Sequence, residues 1–269
     1  MGRRITRSLR AMPEKYELRL VEISDQGRAL MAQEHDIVPM PLDDALVQTQ
    51  TVVLATPDRL AGRITSDLMP RLEAGTNLLS LDPAAAHAER IPRRDDINVY
   101  ACHPSHPPLY DLLAETDPEA RKDYWGSGQA QQALVIAKAW GPDDTFDVVE
   151  VLAQDMFTPI SRTHRITIDQ MALLEPALTE SVTNAALDVM RQARDIAIGK
   201  GLPEQAVNDF FMGHLQIGIA LIFDQIDWKM SEGAAKALVE AREVLFKEDW
   251  ERILDADMVK KSTKSITTE

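Results

Sequence analysis

Short apolar or β-branched runs alternate with helical stretches over the first hundred residues, and this alternation predicts a parallel sheet covered by helices on both faces. The runs at 18–23, 51–55, 76–81 and 97–101 each end in a polar or turn residue, as buried strands do. Helices are expected between them near 25–33, 42–47 and 58–72, followed by a strand over 131–140 and a helix over 143–156. Ahead of the first run, Ile5, Leu9 and Met12 fall on one helical stripe, so the chain is expected to open on a surface helix packed against the sheet. Beyond Thr167 the periodicity becomes that of long helices. One is expected over 168–198, ended by Gly199-Lys200-Gly201, and a second from Pro203 through Phe223 with proline in its first turn. Stretches 231–246 and 249–254 complete the set, and the Lys/Ser/Thr tail after Val259 is expected to fray. Residues 1–160 therefore read as an α/β domain and 161–269 as an all-helical one.

The opening residues sharpen the first domain. In a dinucleotide-binding unit an acid that grips the ribose lies about 20 residues beyond the glycine-rich turn, at the end of the second strand. Glu22 stands at that spacing from Gly2, so Gly2 and Arg3 read as the end of such a turn and 18–23 as the second strand. The expected fold is then a Rossmann-type sheet whose first strand and leading glycines are missing, a unit truncated at its N-terminus. The turn Ala55-Thr56-Pro57-Asp58 follows a buried strand and starts a helix, which puts Ala55, Thr56 and Pro57 where ribose and phosphates would pass. A carboxylate at Glu22 favours NAD over NADP, because it accepts ribose hydroxyls and repels a 2′-phosphate; Arg28 nearby works against that preference.

Charge narrows the partners. With 43 acidic and 29 basic residues the chain lacks the cationic footprint of a nucleic-acid binder. No apolar run is long enough to span a bilayer. A single cysteine, Cys102, excludes an internal disulfide framework and suits a reducing cytoplasm. A small anionic substrate would then need local cations, and the basic stretch Ser161-Arg162-Thr163-His164-Arg165, read as a connection between the domains, offers some.

Two strings carry candidate chemistry. Cys102-His103-Pro104-Ser105-His106-Pro107-Pro108 directly follows a strand, where ligands of open α/β sheets bind, and its three prolines stiffen the loop that holds two imidazoles. Each imidazole can act as a general base, polarise a carbonyl or ligate a metal; prolines that merely shape a turn fit the same string. Glu175 sits in the otherwise apolar Met171-Ala172-Leu173-Leu174-Glu175-Pro176-Ala177-Leu178, where an ionised carboxylate needs a partner, a metal or water. Pro176 should kink that helix, and Thr179 lies one turn beyond Glu175. His214, among Phe210, Phe211, Ile217 and Leu221, reads as a core or interface histidine, and His35 and His87 suggest no role.

Gly2-Arg3-Arg4-Ile5, Glu22, the Ala-Thr-Pro-Asp turn, His-Pro-Ser-His-Pro-Pro and Leu-Glu-Pro-Ala-Leu-Thr-Glu-Ser together resemble the NAD-dependent oxidoreductases with a phosphogluconate-dehydrogenase-type C-terminal domain. The resemblance covers essentially the whole chain and is most specific in the histidine-proline loop and the Glu-Pro helix. It implies NAD-linked oxidation of a hydroxy or sugar acid, coupled in one kind of member to a carbon rearrangement that yields a branched oxo acid. On that reading His103 or His106 takes the hydroxyl proton, a divalent metal can be held by His103, His106 and Glu175, and the apolar C-terminal helices form a homodimer. The chain departs from the pattern twice: most of the glycine-rich turn is missing, and no lysine lies between Ile168 and Arg191, so a lysine-based mechanism does not carry over. The alternative expectation is a binding or structural homologue that has lost its cofactor.

Overall fold

In the computed structural model, residues 1–35, 37–110, 117–142 and 145–268 are described. They form two compact units, one of Met1–Glu175 with Lys260–Glu269 and one of Pro176–Val259. The first contains a five-stranded sheet in the order β1 (Thr51–Leu54), β2 (Asn77–Ser80), β3 (Asn98–Pro104), β4 (Gln132–Trp140) and β5 (Ile160–Thr167). Side chains alternate across it as strand geometry requires. Leu79, Tyr100, Cys102 and Ile136 face α1 (Gly2–Arg10) and α6 (Phe146–Phe157), and Leu78 and Val99 face α4 (Asp58–Leu68). Ile5 and Leu9, the predicted apolar stripe of α1, are both buried in the first of these layers.

The α/β expectation holds, with five corrections. Residues 18–23 form no strand: a strand exists only through a ladder, and among the described residues none joins this stretch to the sheet. Its backbone is tied instead to the approach to α3 (Leu42–Leu46), the Met40 N–H donating to the Leu20 carbonyl at 2.9 Å. The sheet is not wholly parallel, because β4 runs antiparallel to β3. A parallel return needs a crossover, usually helical, and the described part of 105–131 holds only a short 3-10 turn at Ala120–Lys122. The basic stretch read as a connection is strand β5, pairing parallel to β4 with Val135 opposite His164. The helix expected over 168–198 is three segments: α7 (Ile168–Ala172), a π-helical stretch Leu173–Thr183 around Pro176, and α8 (Asn184–Gly199). Proline removes one i→i−4 bond, and the wider turns accommodate the loss while the Ser181 and Thr183 hydroxyls donate to the Pro176 and Leu178 carbonyls.

The tail does not fray. It is α11 (Ala256–Ile266), and Val259, Thr263 and Thr267, spaced four apart, are buried along one side. Thr263 meets His87 of α5 (Ala84–His87) at 2.9 Å, and the Lys260 ammonium pairs with Glu89 at 3.0 Å. Within the second unit the helix boundaries follow the sequence cues. Gly199-Lys200-Gly201 ends α8, with Gly201 at φ +96°, and Pro203 is the residue ahead of α9 (Glu204–Ile222). The Ser231 hydroxyl accepts from the Ala234 N–H at the start of α10 (Glu232–Leu245).

Candidate active site

The site is built on the carboxyl end of β3. Met171 of α7 packs on Ala101 of β3 and Ala137 of β4. Two residues along β3 on that same face comes His103, and one helical turn past Met171 comes Glu175, whose carboxylate lies 3.6 Å from the His103 Nδ1. The apolar contact thus sets the registry that brings acid and imidazole together. His103 is a strand residue, not a loop residue, because β3 runs through Pro104.

Each imidazole is tied through its Nδ1. The His103 Nδ1 lies 2.8 Å from the Pro104 carbonyl, which only accepts, so this nitrogen carries the hydrogen and leaves Nε2 with its lone pair. At 3.6 Å Glu175 is an electrostatic neighbour and not a second acceptor. The His106 Nδ1 likewise donates to the Trp125 carbonyl at 3.2 Å. The two rings meet edge to face with centroids 5.5 Å apart, and the Trp125 indole stands 5.4 Å from His106 on its other side. His106 has φ +58°, a left-handed conformation that a residue with a Cβ keeps only where its surroundings enforce it.

Burial lowers the pKa of His103, with the Pro104 carbonyl and Asp58 pulling the other way, so the ring is neutral at pH 7. Burial also raises the Glu175 carboxyl; His106 opposes this and Asp58 adds to it. The Asp58 carboxyl is raised by its own burial, against hydrogen bonding at its own backbone and the proximity of His103. Two carboxyls held above their ordinary range beside two imidazoles form a proton-handling group. Asp58 is the member that the sequence concealed, since an acid at the first position of a helix reads as a helix-start residue. Asp123 and Trp125 were also missed, lying far along the chain in a loop without a recognisable pattern.

The residues expected to hold a dinucleotide fall into two groups. Gly2 opens α1 against the turn after β1: a Cβ on Gly2 would sit 3.4 Å from the Ala55 Cβ. The first turn of α1 has no acidic residue and no side-chain cap, so its N–H groups suit a phosphate. Arg3 and Thr56 flank this junction in the sequence. Glu22 has local partners, its carboxylate accepting from the Ser24 N–H at 2.7 Å and its carbonyl accepting from Arg28. The Ser24 bond is the main reason its carboxyl lies below the usual range. Cys102 is fully buried, which pushes its thiol far up and makes it inert. Arg165 is engaged by Asp147 and Glu150, and His214 hydrogen-bonds the Phe210 carbonyl one turn back on its own helix.

The imidazole nitrogens and carboxylate oxygens of this group are donors that suit a divalent cation. Among the described residues, no group of three or more His, Cys, Asp or Glu side chains is arranged to hold one. His103, His106 and Glu175 therefore supply donors without making a complete shell.

Comparison with known proteins agrees with this picture. The chain is 37% identical over 267 residues to a D-apionate oxidoisomerase from Cupriavidus necator, covering 99% of this chain and 95% of that protein. It is 36% identical to another from Rhizobium rhizogenes, with 99% and 96% covered. Among solved structures, a semialdehyde dehydrogenase NAD-binding protein from Cupriavidus necator, in complex with calcium and NAD, superposes with a TM-score of 0.94. Its identity is 36%, with 99% of this chain and 95% of that one covered. Residues 113–267 match the family described as phosphogluconate dehydrogenase (decarboxylating) C-term. The resemblance read from the histidine-proline loop and the Glu-Pro helix is borne out: the chain belongs to this phosphogluconate dehydrogenase-type oxidoreductase family.

Proposed function

We propose that the protein oxidises a hydroxy acid or sugar acid with NAD and couples the oxidation to isomerisation of the carbon skeleton. The observation that carries this reading is the meeting of His103, His106, Asp58 and Glu175 at the end of β3, with both imidazoles engaged through Nδ1 so that Nε2 is the nitrogen left for chemistry. The D-apionate oxidoisomerases that share the whole length of the chain support the substrate class. Bound NAD supplies the hydride acceptor. The start of α1, with Gly2 and Arg3, would hold its phosphates; Ala55, Thr56 and Pro57 would border the ribose; the Glu22 carboxylate would accept the adenosine ribose hydroxyls.

In the chemical step His106 Nε2 takes the substrate hydroxyl proton as the hydride leaves the same carbon, which becomes a carbonyl. His103, neutral and anchored at Pro104 through Nδ1, would accept from a second substrate hydroxyl at Nε2 and so orient the substrate. Glu175, whose carboxyl burial raises, would exchange a proton with the rearranging skeleton. A divalent metal belongs to the proposal as an accessory alternative: with Glu175 ionised, its carboxylate and the His103 Nε2 would bind it in place of the hydroxyl contact, with substrate oxygens completing the shell and His106 Nε2 left free as the base. Such a loosely held ion is stripped by EDTA, with turnover lost and restored by added magnesium; turnover indifferent to chelation refutes the metal.

The chain is proposed to act as a homodimer in the cytoplasm. No described helix is long and apolar enough to cross a membrane. In the second unit, α8 and α10 bury no residue and α9 only Ala220, while Phe210, Phe223, Trp228 and Val244 stand exposed. Apolar helix faces of this extent ask for a partner, and an identical surface is the simplest one. Light scattering should give twice the 30.0 kDa chain mass.

The reading is tested by titrating NAD into the purified chain and following NADH formation with D-apionate, with His106→Ala alongside. Absence of NAD binding refutes the oxidoreductase and leaves the non-catalytic homologue. Full turnover by His106→Ala removes that residue as base.

A further inference from the structure

The loop before β4 is built around one carboxylate. The Asp123 Oδ1 accepts the Ser127 N–H at 2.6 Å and the Ser127 hydroxyl at 2.7 Å, and Oδ2 accepts the Gln129 and Ala130 N–H groups at 3.1 and 3.3 Å. Burial by itself raises the Asp123 carboxyl, but these four bonds bring it down to about 2, so it is ionised at any working pH. Gly126, at φ +68°, closes the turn so tightly that an added Cβ would lie 2.5 Å from the Gln132 side chain. Gln132 itself is anchored to the Phe157 carbonyl at 3.0 Å. A loop held at this many points has little freedom left.

The group it presents is the Trp125 carbonyl, which accepts from His106 Nδ1 at 3.2 Å and from the Arg4 guanidinium at 3.5 Å. Arg4 is held in turn by the Phe157 carbonyl at 2.7 Å. The carbonyl thus determines which nitrogen of His106 carries the hydrogen, and it supports the left-handed backbone of that residue. Without this acceptor an imidazole in water favours the hydrogen on Nε2, the nitrogen the reaction needs free.

We infer that Asp123 is a positioning residue, which by clamping residues 123–130 holds the Trp125 carbonyl on His106 and keeps that imidazole in its Nδ1–H form with Nε2 open to substrate. The catalytic consequence rests on the proposed role of His106 as base; the tautomer itself does not.

The test is histidine-selective 15N NMR on the full chain and on the Asp123→Asn and Asp123→Ala variants, with the His106 signals assigned by their loss in His106→Gln. The unaltered chain is expected to show a protonated Nδ1 and an unprotonated Nε2 at His106, and both variants a shift towards the Nε2–H form. Turnover should fall about tenfold or more while the KM for NAD stays within about twofold, a part of the hundredfold or greater contribution typical of a general base. Asp123→Asn keeps the size of the side chain and answers the question if Asp123→Ala fails to fold. An Nε2–H tautomer in the unaltered chain, or an Nδ1–H tautomer that persists in the variant, overturns the inference. Full turnover by His106→Ala would instead remove the base reading and leave the tautomer result standing, so the two failures are distinguishable.

Discussion

Replacing Gly27 by alanine isolates the role of Glu22 without touching Glu22 itself. Gly27 lies in the first turn of α2 (Asp25–His35), where a Cβ would come 2.4 Å from the Glu22 Cδ and 2.5 Å from one of its oxygens. Those atoms are the far end of a side chain, so the carboxylate swings away and the backbone stays. Alanine in a helix is favoured over glycine by about 1 kcal/mol. The Glu22 bond from the Ser24 N–H, lost in the swing, is charge-assisted but lies in solvent, where water takes the place of either partner, so its net worth is about 1 kcal/mol. The two nearly cancel, and the melting temperature should move by no more than about 2 °C. Affinity should not cancel. Losing a charge-assisted hydrogen bond to the ribose costs roughly 1.5–3 kcal/mol, which weakens NAD binding about tenfold to a hundredfold. NADP should lose less, since the carboxylate that repels its 2′-phosphate has moved. Calorimetric titration with both dinucleotides, beside a thermal melt, gives the answer. A Gly27→Ala protein that melts normally and binds NAD with unchanged Kd refutes the assignment of Glu22.

Glu175→Gln should be more stable than the unaltered chain at neutral pH while losing turnover. Because burial raises the folded-state pKa of Glu175, its contribution is intact below the ordinary carboxyl value of about 4.3 and is lost as pH rises through the raised value. The stability gain of the variant should therefore be absent near pH 4 and grow towards pH 8; melting curves that differ by the same amount across that range contradict the burial argument. Thr263→Val removes the hydroxyl that meets His87 while keeping the shape of a fully buried side chain, and should cost roughly 1–2 kcal/mol, or about 2–4 °C in melting temperature. An unchanged melt would mean that α11 does not dock as described. Phe210→Asp together with Val244→Asp should halve the mass seen by light scattering, and a species that keeps its size refutes the dimer surface.

Hydrophobic pattern revealed the elements that bury themselves. The stripe of Ile5 and Leu9, the runs that became β1, β2 and β3, and the glycine stop after α8 all rest on local spacing that survives folding. What it concealed depends on partners distant in sequence. Residues 18–23 have the composition of a strand but no ladder, and β5 looked like a basic connection because Arg162, His164 and Arg165 lie exposed along it. The tail read as frayed because threonine counts as polar, whereas Thr263 and Thr267 bury their methyl groups and return their hydroxyls to His87 and to the helix carbonyls. In the site, His103, His106 and Glu175 were visible because titratable residues among prolines and apolar neighbours are unusual. Asp58 was not, since its position already had a sufficient local explanation.

The same distinction explains why the strain at the site falls on His106. His103 belongs to a strand, and its ring is fixed by the next residue's carbonyl, so its geometry is local and costs little. His106 stands past the end of the ladder, immediately before Pro107, which disfavours right-handed helical backbone at the preceding residue. Its left-handed conformation is held by the carbonyl of Trp125, nineteen residues away. That carbonyl also meets Arg4, in the first turn of the helix proposed to receive the cofactor phosphates. One backbone oxygen therefore ties the proposed base to the proposed cofactor end of the sheet. A mutation that loosens the 123–130 loop should then be felt in turnover before it is felt in dinucleotide affinity, because Arg4 keeps its shorter bond to Phe157 whereas His106 Nδ1 has no comparable substitute among the described residues.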